Sequence, residues 1–283
     1  MIDNHKEYLK RMAESSHFST KQNIPSIILS HGCKNVLDVG CADGSFTKQI
    51  ADVTGASVTG IDINEKNVKL AKKKFKDIDF ICTDILHLDS DKMYDCIVFC
   101  SVMHEISSYY PLTYARYTSN PIKWAISRAY LHLNPGGIII IRDGLSHKQQ
   151  YTQDFRQIKF TSTKFDKLFK KFDTEFAAKS IFNTPEKIWI ELSKLKYLIA
   201  EDYLLEFLLT ATWGTRSWKR EIKERKLICT KQEWFELLQT NNFKICSYLQ
   251  TNEEYPEYFR QICNTLYWDI PETTCLIVAK KEI

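Results

Sequence analysis

The sequence predicts an α/β fold in which a mostly parallel sheet is flanked by helices. From residue 34 onward, short β-branched runs alternate with longer segments of helical periodicity. Two of the runs, 96–100 and 138–141, are continuously apolar and end at turn residues. Continuous apolar runs are typical of strands that are buried on both faces, as in parallel sheets. Repeated strand and helix units of this kind favour a parallel α/β sheet.

The first predicted elements follow one another closely. A strand at 35–39 leads through a glycine-containing turn into a helix at 46–51. The segment 133–137 contains Pro135 and two glycines, so we expect it to end a helix and to restart the chain as a strand. The other predicted elements of this part are a strand at 57–61, a helix at 65–75, and strands at 79–82, 96–100 and 138–141.

The alternation breaks after residue 144 for about ninety residues. Residues 145–229 are predicted to be a largely helical insertion between strand five and the last helix of the sheet domain. Thr230 and Glu233 then have capping-box spacing, and a helix at 234–238 and strands at 243–249 and 274–279 restore the pattern. We therefore expect a core of residues 31–144 and 230–283, a helical N-terminal segment at 1–30 and the insertion.

The composition is that of an ordinary globular protein. The chain has 283 residues, of which 44% are hydrophobic and 26% charged, and no apolar stretch is long enough to span a bilayer. The N-terminus has mixed charge without a following apolar run, so we expect no secretory signal and a cytoplasmic location. Nine cysteines without a Cys-x-x-Cys pair predict buried thiols in a reducing compartment.

The net charge of +4 does not by itself indicate a polyanionic partner. Residues 145–226 contain 17 Lys and Arg against 11 Asp and Glu, so the basic character belongs to the insertion.

The turn after the first strand predicts a nucleotide-like ligand. Gly40 and Gly44 let the backbone approach a ligand at the carboxyl ends of the strands. A dinucleotide fingerprint would also need glycines at 42 and 45, where the chain has alanine and serine. Asp43 at the helix start disfavours a pyrophosphate, whereas S-adenosylmethionine has no phosphate and carries cationic groups. Asp38 and Asp43 are therefore compatible with that ligand.

Two more acids follow the second and third predicted strands. Asp62 comes 18 residues after Gly44, and a carboxylate at such a strand end can accept hydrogen bonds from both ribose hydroxyls of an adenosine. Asp84, after the third strand, can meet the adenine amino group. Three strand ends thus contribute to one cleft.

These segments, with 94–98 and 133–137, resemble the ordered motifs of class I S-adenosylmethionine-dependent methyltransferases. The resemblance covers about residues 30–144 and, more weakly, 230–281. It implies a seven-stranded sheet whose last strand is antiparallel, and S-adenosylmethionine as the cofactor. Ala42 departs from the glycine that is usual in the family's first motif. The residues expected at the cofactor are Asp38, Gly40, Ala42, Gly44, Asp62, Ile63, Asp84, Ile85 and Ser101.

The catalytic candidates follow strand four. Methyl transfer needs an aligned nucleophile and, for a hydroxyl or protonated amine, a base. His104 could take the proton if its pKa is near neutral, and Glu105 could bind or polarise the acceptor. The alternative is that this turn only packs against the cofactor. Glu105 is not followed by paired histidines, so we expect no metal. Arg142 and Asp143 either bind an acceptor anion or form a surface ion pair.

Aromatic and basic residues are interleaved at 207–220 in the insertion. They could stack on a nucleotide or a short single strand, line a small-molecule pocket, or form a solvated basic face. Trp213 and Arg216 are the substrate-binding candidates here, beside Arg142. The favoured function is methyl transfer to O or N of a small molecule under the insertion as a lid. The alternatives are an RNA or nucleotide methyltransferase and a non-catalytic cofactor-binding module. No membrane partner is expected.

Overall fold

The computed structural model describes residues 20–147, 154–182, 188–252, 255–264 and 268–282. The helix expected near Tyr8, with His17, lies outside these residues, and so does the part of the 1–30 segment that precedes Thr20. The strands are, in chain order, β1 (Asn35–Val39), β2 (Ser57–Asp62), β3 (Asp79–Cys82), β4 (Tyr94–Cys100), β5 (Leu133–Ser146), β6 (Phe155–Phe160), β7 (Trp189–Ser193), β8 (Lys196–Ala200), β9 (Cys229–Thr230), β10 (Phe243–Thr251), β11 (Cys263–Asn264) and β12 (Thr274–Lys281).

The central sheet has the strand order β10-β12-β5-β4-β1-β2-β3, and the short strand β9 pairs with β5. Neighbours from β5 to β3 are parallel, while β12 runs antiparallel to both β5 and β10. The prediction of a mostly parallel seven-stranded sheet with an antiparallel last strand is confirmed.

Helices cover both faces of this sheet. In chain order the α-helices of the described residues are α1 (Asn23–Ser30), α2 (Ser45–Thr54), α3 (Glu65–Lys74), α4 (Met103–Ser108), α5 (Asn120–His132), α6 (Thr163–Glu175), α7 (Glu201–Thr212), α8 (Gly214–Glu221), α9 (Lys231–Gln239) and α10 (Tyr255–Ile262). Side chains of α1 and α2 pack with Val36 and Val98 on one face. Side chains of α5 and α9 pack with Leu37 and Ile97 on the other. Consecutive apolar residues are buried because both faces are covered.

Local chemistry sets the helix ends that the sequence predicts. Thr230 accepts a hydrogen bond from the Glu233 amide, and the Glu233 side chain accepts one from the Thr230 amide, which completes the capping box of α9. Helix α5 ends at His132, immediately before the segment with Pro135, and the chain continues as β5. β5 runs on to Ser146, two residues past the expected boundary at 144.

The insertion differs from the prediction in two respects. It contains α6, α7 and α8, but it also contains an antiparallel sheet with the order β11-β6-β8-β7, which the sequence reading missed. β11 and α10 come from residues 255–264, which were expected to belong to the core, and Phe259 and Cys263 pack in the insertion's own hydrophobic cluster. These strands are at most six residues long, and β7 is largely exposed, so it lacks the buried pattern of the core strands.

All nine cysteines are free thiols. Six are buried as expected, but Cys82 and Cys246 are exposed, and Cys100 is partly exposed. Within the part of the chain that the structure describes, no helix has both the length and the apolar character needed to cross a membrane.

Candidate active site

The turn between β1 and α2 is shaped by backbone geometry that favours glycine. Gly40, Ala42 and Gly44 all have positive φ angles, of 75°, 49° and 76°. A Cβ atom on Gly40 would lie 2.6 Å from Cγ2 of Val102, in the segment that follows β4. The turn therefore passes close to the end of β4, and Ala42 accepts a conformation that alanine rarely adopts.

Asp62 holds this turn in place from the end of β2. Its Oδ2 accepts a hydrogen bond from the Ala42 amide at 2.9 Å, and its Oδ1 accepts one from the Asn64 amide at 2.7 Å. Asn67 donates to the same carboxylate at 3.2 Å. The neighbouring Ile63 is 75% exposed and free to cover a ligand. Asp62 therefore has a structural role in addition to the ribose contact that the sequence predicts.

The adjacent strand brings the second acid to the same edge. Asp62 pairs in register with Cys82 of β3, so Asp84 lies just beyond. One Asp84 oxygen caps the short turn 85–87 by accepting from the Leu86 amide at 3.0 Å. Ile85 is only 2% exposed and packs in the core, so its side chain offers little surface to a cofactor.

Asp38 lies buried near the base of the cleft. Thr47 donates a hydrogen bond to its Oδ2 at 2.6 Å, and burial raises the pKa of the Asp38 carboxyl to about 6. The nearby Lys21 opposes this shift. A cationic ligand such as the ammonium or sulfonium of S-adenosylmethionine would favour the ionised form.

Ser101 and Arg142 join the ends of β4 and β5. Ser101 has a φ of 58°, and its hydroxyl accepts a hydrogen bond from the Arg142 guanidinium at 2.5 Å. Arg142 is 8% exposed and also donates to the Thr20 hydroxyl at 3.1 Å. Arg142 and Asp143 are both buried and bond to different partners, so the alternative of a surface ion pair is wrong.

His104 and Asp143 form a buried pair on α4 and β5. The Nδ1 atom of His104 is 2.8 Å from Oδ1 of Asp143, and the Met103 amide donates to Oδ2 at 2.8 Å. Asp143 thus both orients the imidazole and accepts a hydrogen bond from a backbone amide in the first turn of α4. Burial disfavours the imidazolium, but Asp143 and Glu224 outweigh it and raise the pKa of His104 to about 9. The condition under which His104 could take the proton, a nearly neutral pKa, is therefore not met.

A segment of the insertion, residues 222–228, lies over this pair and is called the strap here. It carries Glu224, whose Oε2 is 3.8 Å from Nε2 of His104 and whose Oε1 accepts from the Tyr109 hydroxyl at 3.0 Å. The Lys226 ammonium contacts Glu224 and pairs with Glu221 at 2.8 Å. Both glutamates are about 1% exposed, so the cluster is largely shielded from water.

Contacts to both parts of the molecule fix the strap. Glu206 of α7 accepts from the amides of Lys226 and Leu227 at 2.9 and 2.8 Å, and the Arg225 amide donates to the Ser108 hydroxyl at 3.0 Å. The strap also crosses β5 at Gly144, where a Cβ atom would lie 1.7 Å from the Lys226 carbonyl oxygen. The candidate site is therefore formed by side chains of both the core strands and the insertion.

Glu105 is the second predicted catalytic residue and lies beside the same cluster. Burial and the charge of Glu224 raise the pKa of the Glu105 carboxyl to about 7. Potential metal-ligating atoms of His104, Glu105 and Glu224 all lie within 4.8 Å of one another. The Lys226 ammonium contacts Glu224, so one of these three side chains is already paired with a cation.

The predicted substrate residues of the insertion lie at the start of α8, away from the cluster. Trp213 is partly buried where α7 meets α8, and Arg216 is exposed on α8. The end of α8 at Arg220, whose carbonyl oxygen lies 3.4 Å from the Tyr109 hydroxyl oxygen, is the end that meets the cluster. Sequence reasoning missed Tyr109, Glu221, Glu224 and Lys226. The one available signal was the acidic and basic alternation at 221–226 in an aromatic and basic segment.

A cavity of about 440 Å³ lies elsewhere, against the amino-terminal parts of β3 and β4. Its lining includes Lys72, Lys92 and Tyr94 and none of the residues predicted for cofactor or acceptor. It is therefore separate from the cleft described above.

A family model described as a methyltransferase domain matches residues 30–264. The chain belongs to this family. The resemblance to the family is thereby confirmed: this protein is a class I S-adenosylmethionine-dependent methyltransferase, and S-adenosylmethionine is its cofactor.

Among known proteins, the methyltransferase is similar to a demethylmenaquinone methyltransferase of Tropheryma whipplei, with 25% identity over 66% of this chain and 69% of that protein. A ubiquinone biosynthesis O-methyltransferase of Rickettsia conorii is 29% identical over 38% of this chain and 33% of its own. A solved S-adenosylmethionine-dependent methyltransferase of Listeria monocytogenes has a TM-score of 0.53 at 16% identity, covering 93% of this chain and 98% of its own. That likeness supports the fold.

Proposed function

We propose that the methyltransferase transfers the methyl group to an oxygen or nitrogen atom of a small molecule held between the sheet and the insertion. The observation that carries this proposal is the pair of His104, just after the carboxyl end of β4, and Asp143, near the carboxyl end of β5, which is closed off by the strap. His104 is 13% exposed and Asp143 1%. A site this enclosed suits a small acceptor better than a large one.

In this proposal, Asp38, the turn at Gly40–Gly44, Asp62 and Asp84 hold the cofactor, as the sequence predicts. Arg142 fixes Ser101 at the end of β4, and His104 and Glu105 face the acceptor. The insertion acts as the lid. The relatives named for demethylmenaquinone and for ubiquinone biosynthesis act on small molecules, which supports the same class of acceptor here. Nine free thiols support a reducing compartment such as the cytoplasm.

The cofactor site is tested by calorimetric titration with S-adenosylmethionine, S-adenosylhomocysteine and NAD. We expect micromolar binding of the first two and none of NAD. Asp62→Ala should lose at least about tenfold in affinity, because the carboxylate both shapes the turn and meets the ribose. Asp52→Ala, whose side chain is 58% exposed on α2, is the matched control. Binding of NAD alone, or equal binding by the two variants, would contradict the proposal.

The acceptor is then sought in a screen that detects S-adenosylhomocysteine release. Phenols, other alcohols and amines are offered with S-adenosylmethionine. Turnover with members of these groups supports the proposal, and turnover only with RNA would overturn the small-molecule assignment.

An RNA or nucleotide acceptor is a second candidate, favoured by the surface of the insertion. Its acidic residues Glu201, Glu206, Glu221 and Glu224 are buried, so the exposed surface is more basic than the composition suggests. Binding of a polyanion should weaken steeply as salt rises from 50 to 200 mM. Binding of a small acceptor should change little, and this contrast separates the two candidates.

A further inference from the structure

The imidazole of His104 lies between two carboxylates. Asp143 is 2.8 Å from Nδ1, and Glu224 of the strap is 3.8 Å from Nε2. A histidine that donates from Nδ1 to one carboxylate and faces a second with Nε2 is favoured as the imidazolium. An imidazolium carries a hydrogen atom on both nitrogens and has no lone pair with which to accept a proton.

Glu224 has the complementary properties. It is buried, and its ionised form is stabilised by the Lys226 ammonium and by the Tyr109 hydroxyl, which donates at 3.0 Å. Burial opposes ionisation, yet Lys226 and His104 hold the pKa of Glu224 below its ordinary value. Glu224 is therefore a carboxylate that can accept a hydrogen bond on the side that faces His104.

The distance of 3.8 Å between Nε2 and Oε2 is too long for a direct hydrogen bond. One acceptor atom can, however, bond to both groups. It must receive a hydrogen from Nε2 and donate one to Oε2, which a hydroxyl oxygen does. An ammonium group has no lone pair to receive the hydrogen from Nε2.

We propose that Glu224, contributed by the insertion, is the general base of the methyltransferase, that His104 is a hydrogen-bond donor, and that the acceptor is a hydroxyl compound. This inference rests on the function proposed above. In the step, the acceptor O–H bond breaks and its proton goes to Oε2 of Glu224. The oxygen forms a bond to the methyl carbon, and the S–CH3 bond breaks with its electron pair remaining on sulfur. Glu224 returns the proton to solvent after product release.

The charged and titratable groups around the pair come from four elements. α4 contributes Glu105 and, just after its last residue, Tyr109. β5 contributes Asp143, α8 contributes Arg220 and Glu221, and the strap contributes Lys226. Glu105 is the competing base, because burial and Glu224 raise its pKa to about 7. The experiment must therefore separate Glu224 from both His104 and Glu105.

The first experiment needs no acceptor. Histidine labelled with ¹⁵N is followed by NMR in the S-adenosylhomocysteine complex between pH 6 and 10. We expect His104 to remain the imidazolium at pH 7.5 and Glu224→Gln to lower its pKa measurably. A neutral His104 at pH 7.5 in the complex would overturn the inference but not the proposed function, whose failure would show as loss of cofactor binding.

The second experiment uses the hydroxyl acceptor from the screen. The inference predicts a rate that stays high at neutral pH and falls as His104 deprotonates near pH 9, whereas a His104 base predicts a rate that rises there. Glu224→Gln should lower kcat by about 10² to 10⁴, with cofactor affinity retained. Glu224→Asp should recover part of the lost kcat. Glu257→Gln, at a side chain that is 79% exposed, is the control and should leave kcat unchanged. Activity only on amines, a rising alkaline limb, or Glu105→Gln alone abolishing turnover would overturn the inference.

Discussion

Several residues that we propose to bind the cofactor also have a structural task in the cleft. Asp62 accepts hydrogen bonds from the amides of Ala42, in the turn, and of Asn64. Asp38 is a buried acid below the turn. Gly40 leaves room where any side chain would meet Val102. Substitutions at these positions should therefore change stability and cofactor affinity together.

Gly40→Ala tests the close approach at the turn. The new Cβ would lie 2.6 Å from Val102 in a residue with a φ of 75°. Gly55→Ala has a similar φ of 66° but no neighbour within 4 Å, so it isolates the conformational cost of about 1–2 kcal/mol. We expect Gly40→Ala to lose about 1–3 kcal/mol more, as overpacked sites do, together with S-adenosylmethionine affinity. Denaturant unfolding and calorimetry measure both, and equal losses for the two variants would contradict the steric account.

Asp38→Asn tests the buried charge at the base of the cleft. The pKa of about 6 in the folded protein lies above the ordinary aspartate value of 3.8, so the folded state keeps the proton to higher pH than the unfolded chain does. The wild type therefore loses stability as pH rises from about 4 to 6, by roughly 2–3 kcal/mol. The variant should escape this loss and be the more stable apoprotein at pH 8, but bind S-adenosylmethionine more weakly. Unfolding curves of both proteins at pH 4.5 and 8 measure this. The same difference in unfolding free energy between variant and wild type at the two pH values would refute the prediction.

At the scale of elements, helix ends and strand ends define where the chain changes direction. The capping box at Thr230 starts α9 directly after β9, which pairs with β5 beside the active site. Trp234 of the same helix is fully buried and packs against one face of the sheet. The start of α9 thus connects the end of the strap to the core.

Thr230→Ala removes the hydroxyl that accepts from the Glu233 amide. Loss of such a cap costs about 1 kcal/mol, within a usual range of roughly 0.5–2. Thr230→Ser retains the hydroxyl and should restore most of the stability. Thermal denaturation of the three proteins decides this, and a serine variant as unstable as the alanine variant would show that the methyl group, not the cap, matters.

At the scale of the whole molecule, the core and the insertion have separate hydrophobic clusters but share the strap. Phe169, Phe172 and Phe207 pack in the insertion, while the sheet and its flanking helices form the other clusters. The strap is bonded to α7 through Glu206 and lies against β5 at Gly144. The site is therefore complete only when both parts are in place.

Gly144→Ala tests this coupling. A Cβ atom there would lie 1.7 Å from the Lys226 carbonyl oxygen, a clash that the backbone must relieve by moving. We expect a loss of more than about 3 kcal/mol and faster proteolysis in the strap. Gly214→Ala, in the insertion with nothing within 4 Å, is the control for a glycine substitution and should leave the strap protected. Unchanged proteolysis in Gly144→Ala would mean that the strap does not depend on this contact.

Much of the core was predictable from the sequence because its signals are local. β1 and β3 have the predicted bounds, and β2 extends the prediction by one residue. The apolar periodicity and turn residues that encode them lie within each element. The grouping at one edge of the residues proposed to bind the cofactor follows from the same pattern, since parallel strands bring their carboxyl ends to one edge. The strands of the insertion are short, and the pairing of β6 with residues 263–264 joins distant parts of the chain.

The sequence by itself determined the class of fold, the cofactor and the position of His104 after strand four. Only the tertiary structure decided what surrounds that histidine. Asp143 lies 39 residues away along the chain, and Glu224 and Lys226 come from an insertion whose path no local pattern predicts. Because a pKa depends on burial and on neighbouring charges in space, the protonation of His104 could not be read from its sequence neighbours. It follows from the folding of the strap over the end of the sheet.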